Sequence, residues 1–172
     1  GYGSSGAPYS SGQYNTALGF EALKVFTTAN DIVALGYRSL LSLTTGARNV
    51  GVGTSTGRSI TVGTDTVHVG DEAGRYATGS YNTFVGSDAG KGGTTSAPYS
   101  SGQYNTALGY RALTGLTTGN YNVVLGGDAG FDHTTGQYNV FVGYRAGFEN
   151  TSGESNTFIG KEAGKNIVGD VH

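Results

Sequence analysis

The chain has no cysteine, no methionine and no tryptophan, only two prolines, and few charges, 13% of its 172 residues. The lack of cysteine excludes disulfides and thiolate chemistry. The ten Lys and Arg are scattered and the net charge is −2, so no basic stripe is available for a nucleic-acid backbone. There is no long apolar run and no signal-type hydrophobic segment, and no direct membrane insertion is expected. No stretch sustains apolar spacing at i, i+3, i+4 and i+7, which argues against helix. What is abundant is glycine: 32 residues, well over twice the ordinary ~7%. Short Val, Thr, Phe and Leu clusters bounded by Gly recur throughout and predict an all-β chain with many turns.

The clusters follow a ruler. Glycines at 19, 36, 53, 70, 86, 109, 126, 143 and 160 anchor units spaced 17 residues apart, except for one of 16 and one of 23. Four residues before the anchor stands Asn in seven of the nine units, and three residues after it stands Ala in seven. The segment APYSSGQYNTALG occurs twice unchanged, at 7–19 and 97–109, five units apart in the same phase. The long unit carries six extra residues around SAPYSS, and the start of the chain carries a matching GAPYSS. Both prolines, Pro8 and Pro98, lie in these insertions, as expected of loops leaving a regular scaffold.

A 17-residue unit fits one coil of a β-solenoid, or β-roll. About nine coils over residues 1–172 then form one repeat domain, expected to be a section of a longer fibre. Each coil is expected to hold two strands, the first in YNTALG and the second in segments such as EALKV, RALTG or EAGKN. The recurrent Asn is expected to stack as an amide ladder along the axis.

Strand alternation suggests that residues one and three before each anchor fill the coil, for example Leu18 and Thr16, leaving the residue between them outside. That outer row reads Ala17, Ala34, Gly51, His68, Phe84, Ala107, Val124, Phe141 and Phe158. It is too apolar for solvent and is expected to be covered by further copies of the chain. Its members vary with the residue four after the anchor. Ala17, Ala34 and Ala107 accompany Leu23, Leu40 and Leu113, whereas His68, Phe84, Val124, Phe141 and Phe158 accompany Gly74, Gly90, Gly130, Gly147 and Gly164. Large meets small except at Gly51 with Gly57, and the shared space is expected to lie between chains.

The motifs NTALGYRAL, NVVLGGDAG, NVFVGYRAG and NTFIGKEAG, separated by TTG, resemble the repeats of trimeric β-roll fibres. These include YadA-type heads of bacterial trimeric autotransporter adhesins and related phage tail and bacterial surface fibres. The likeness covers essentially residues 12–165. The 17-residue unit with N-T/V-x-L/V-G, in place of a shorter unit with SVAIG-like strands, is closer to the tail-fibre variants. The resemblance implies a left-handed roll, a parallel homotrimer, an extracellular place on a bacterial surface or phage virion, and a role in attachment to a cell-surface glycan or protein receptor. A passive spacer, with the receptor-binding tip elsewhere, is the alternative.

Among candidate contact residues, Tyr9 and Tyr99, beside Pro8 and Pro98 in the insertions, come first because insertions in repeat proteins emerge on one face and often bind. Tyr14, Tyr81, Tyr104, Tyr121 and Tyr138 all precede the repeat Asn position and form a possible aromatic edge. His68 reads as a packed histidine, or as a group meeting its copies on a trimer axis. His133, next to Asp132, reads as a solvated turn residue. The Asn150-Thr-Ser sequon is taken as accidental, and 86–94 lacks the spacing of a phosphate loop. With 22 charged residues spread along a rod, no catalytic residue, cofactor or metal is expected.

Overall fold

A computed structural model describes residues 10–93 and 99–169. Among these residues there is no helix, and nine three-residue strands form one parallel sheet: β1 (Thr16–Leu18), β2 (Val33–Leu35), β3 (Val50–Val52), β4 (Val67–Val69), β5 (Thr83–Val85), β6 (Thr106–Leu108), β7 (Val123–Leu125), β8 (Val140–Val142) and β9 (Thr157–Ile159). Each pairs with the next in chain order, from Thr16 opposite Val33 to Val142 opposite Ile159. The register equals the repeat, including the short step from Val67 to Thr83 and the long step from Thr83 to Thr106. The chain is a β-solenoid making about eight turns.

The anchor glycine ends each strand. Its φ lies between +125° and +136°, outside the left-handed helical region, and at every anchor but the last, Gly160, a Cβ would run into the backbone of the next anchor, as at Gly109 against Gly126. Only glycine meets both conditions.

The second strand expected in each coil is absent. Residues two and four after the anchor are left-handed, such as Glu21 at φ 57° with Leu23 at 48°, and Arg111 with Leu113, both at 56°. Alternation of left- and right-handed residues curls the segment into turns, yet it still bonds to the coils on either side. Arg38 N–H donates to Phe20 O (2.9 Å) and Leu23 N–H to Ser39 O (3.0 Å).

The faces are the reverse of the sequence expectation. The central strand residues lie inside the coil: Ala34, His68, Phe84, Ala107, Val124 and Phe141 are fully buried within the single chain, Phe158 nearly so, and Ala17 packs against the first core cluster. Leu23, Leu40 and Leu113 are buried beside them. The fully buried ones are not available as an interface between chains. Alternation in a strand fixes which residues share a face but not which face is inside, and here both faces are apolar.

The size complementarity is therefore internal. A Cβ placed on Gly147 would lie 2.8 Å from the Phe141 ring, and the rings of Phe84, His68 and Phe158 occupy the same space over Gly90, Gly74 and Gly164. The Gly51 and Gly57 coil is filled by its neighbours: a Cβ on Gly57 would meet Leu40 at 2.7 Å and His68 at 2.9 Å. A further interior row stands seven after the anchor, with Leu43, Ile60, Leu116, His133 and Asn150 all buried.

The asparagine ladder forms as expected. Asn122 Nδ2 donates to Asn105 Oδ1 (3.0 Å) and to Gly136 O (2.9 Å), and its own Oδ1 accepts from Asn139 N and Nδ2, each at 3.0 Å. Ile32 and Thr66 replace Asn in two coils, and their N–H groups still donate to Asn15 and Asn49 Oδ1. Asn122→Ala strips buried partners from Gly136 O and Asn139 N–H, so chemical denaturation is expected to show a loss of about 2 kcal/mol. An unchanged midpoint would mean that the ladder contributes nothing net.

Candidate functional site

Outward from the sheet stand two rows, one and three residues before each anchor. Of these 18 residues 14 are Val, Leu or Ile, four are Thr and none is charged. All are half-buried or exposed, with Leu18 at 73% and Ile159 at 69% at the two ends. A β face left to water normally alternates to polar residues. This one is a continuous apolar strip along all nine strands, made of the residues assigned from sequence to the coil interior.

Beside the strand, four of the five repeat tyrosines stack. Ring centroids are 4.6 Å apart for Tyr81 and Tyr104, 4.9 Å for Tyr104 and Tyr121, and 5.1 Å for Tyr121 and Tyr138, all within 9° of parallel. Tyr14 stands apart, since Asp31 follows it in the column. All five are left-handed, and the N–H of each of the four that stack donates to the preceding coil, as Tyr121 does to Gln103 O. Within the stack the ring faces are taken by neighbouring rings, leaving edges and hydroxyls outward. Burial and the neighbouring phenols push the Tyr104 hydroxyl pKa up.

Charge on the surface is mostly spent internally. The column two after the anchor alternates in sign at its start, from Glu21 to Arg38, and from Asp88 to Glu162, so that Arg38 bonds Glu21 (2.7 Å) and Asp128 lies between Arg111 and Arg145. Arg111 also caps the Phe131 ring at 4.2 Å.

The insertion contributes Tyr99. Its ring stacks on Tyr76 at 6.1 Å, and a parallel bridge between Ala77 and Ser100 holds the two segments together. Leu41, Ser42, Arg58, Ser59, Tyr76 and Tyr99 line a cavity of about 270 Å³. Pro8, Tyr9 and Pro98 lie outside the described residues.

Both described histidines are buried. His68 stacks on Phe84 at 5.1 Å, and neither ring nitrogen has a hydrogen bond, so burial pushes its pKa down to about 3. Placed within the coil, it does not meet copies of itself on an axis. His133 is not a solvated turn residue: its Nδ1 lies 2.7 Å from Asn150 O and its Nε2 3.1 Å from Gly136 O. Burial lowers its pKa against the opposing pull of those carbonyls. Its partners do not include Asp132, so the two make no catalytic pair. Asn150 is buried too and donates to Gly169 O (3.0 Å), which leaves the sequon unsuited to a glycan. Among the described residues no group of three His, Asp or Glu is placed to hold a metal ion.

No family model, no curated protein and no solved structure matches this chain.

Proposed function

We propose that the chain is a non-catalytic section of an extracellular homotrimeric fibre that attaches to a cell surface or glycan, with its solenoid wound left-handed and three copies parallel about one axis. The observation that carries this reading is the uncharged strip of Val, Leu, Ile and Thr on the outer face of the sheet. Its 18 residues approach the roughly 20–30 a side of a standard interface. It runs the whole length of the sheet, as a partner parallel to the axis requires. The sequence resemblance supplies the number three and the surface location.

Val85→Asp together with Leu125→Asp places carboxylates in mid-strip without touching the core. The expected result is a folded β chain whose mass falls from three copies to one. An unchanged mass would remove the strip from the assembly. Binding of the wild-type chain to cells and to a glycan array tests attachment, and a folded trimer that binds neither is a passive spacer.

A further inference from the structure

We infer that the cavity bounded by Arg58, Tyr76 and Tyr99 binds an acidic saccharide unit, a sugar ring carrying a carboxylate; this rests on the attachment reading above. The ion pairs among the described residues engage every Lys and Arg except Arg58 and Lys161. Of these two, only Arg58 lines the cavity. Its half-buried guanidinium has no hydrogen bond or ion pair among the described residues. No carboxylate lines the cavity with it. A guanidinium fork without an anion matches a carboxylate through two parallel N–H bonds.

The remaining walls suit a sugar. Two tyrosines give apolar ring surface, and the Ser42 and Ser59 hydroxyls, which also have no partner among the described residues, can exchange hydrogen bonds with sugar hydroxyls. About 270 Å³ is below the ~300–1,000 Å³ of sites for drug-sized ligands and fits one ring. The aromatic wall is preset: Ser100 N–H donates to Tyr76 O (3.0 Å) and Thr78 N–H to Ser100 O (2.7 Å), clamping the insertion to the coil before any ligand arrives. The neighbouring cation does not compete, because Arg75 is paired with Glu72 while lying 5.0 Å from the centre of the Tyr76 ring.

Titration of the whole chain by NMR with galacturonate, N-acetylneuraminate, galactose and inorganic phosphate, at low and high salt, tests the assignment. The two acidic sugars are expected to shift the Arg58, Tyr76 and Tyr99 signals, with galactose at least about tenfold weaker and added salt weakening the acids. Arg58→Gln, with an unchanged circular dichroism spectrum, is expected to lose about tenfold or more for the acids, and Tyr99→Ala several-fold. Equal binding of galactose, or full binding by Arg58→Gln, overturns the proposal. Phosphate binding as tightly as the acids, with no effect of Tyr99→Ala, also overturns it and leaves an anion site only. If Arg58→Gln still binds a cell or glycan surface as the wild type does, the cavity fails and attachment stands. If the wild type binds galacturonate but no surface, attachment fails instead.

Discussion

Phe141→Ala is expected to destabilise the chain by about 3–5 kcal/mol, and adding Gly147→Leu to recover most of that loss. The Phe141 ring is fully buried, stacked on Phe158 at 5.3 Å and met edge-on by His133 at 5.3 Å. Truncation leaves a cavity that parallel coils cannot close, since hydrogen bonds to both neighbours fix their separation. Gly147→Leu alone overlaps the ring, because its Cβ would stand 2.8 Å away, and it adds a left-handed side chain costing roughly 1–2 kcal/mol. The pair reproduces the coil of Ala107 and Leu113, where Leu sits at φ 56° against 62° for Gly147. Denaturant unfolding of both single variants and the double, at one protomer concentration, checks it. A double variant no more stable than Phe141→Ala would show that the glycine serves the backbone angle and not a shared volume.

His68→Phe is expected to raise stability at neutral pH and to remove most of an acid weakness. His68 has a folded pKa near 3, below its unfolded value of about 6.5, so its neutral form is the one the fold accepts. That contribution is fully present above pH 6.5 and is lost as pH falls toward 3. At pH 4.5 the loss reaches roughly 3 kcal/mol. His133, lowered in the same direction, adds to it. Phenylalanine already occupies this row at Phe84, Phe141 and Phe158, each facing a glycine as His68 faces Gly74. The substitution therefore conserves volume, keeps the stack on Phe84, and removes two ring nitrogens that lack hydrogen bonds. Thermal melts from pH 7 to pH 4 should show the wild type losing more stability than the variant. Parallel curves would mean that His68 is not the titrating group.

The repeat was legible because every rung obeys one register: the 17-residue ruler places all nine strands, the asparagine ladder and the stacked tyrosines. The pairing of large with small residues was legible as well, but its location was not. In TAL, VFV or TFI both parities are apolar, so nothing local distinguishes the inside of the coil from a face awaiting a partner. The turns after each anchor were hidden for another reason. Left-handed angles fall on Glu21, Arg38, Leu40 and Arg145, residue types that do not advertise them. His133 was recoverable, since Leu43, Ile60 and Leu116 mark its position as interior. Arg58 was not, because its lack of an ionic partner emerges only once the other cations have been paired in space.

Sedimentation equilibrium of the wild-type chain at micromolar concentration tests most directly that the outer strip of the sheet is buried between copies. One species at three times 17.5 kDa, unchanged on dilution through that range, is expected. A folded, β-rich species at 17.5 kDa, soluble with Leu18, Leu108 and Ile159 left in water, would contradict it.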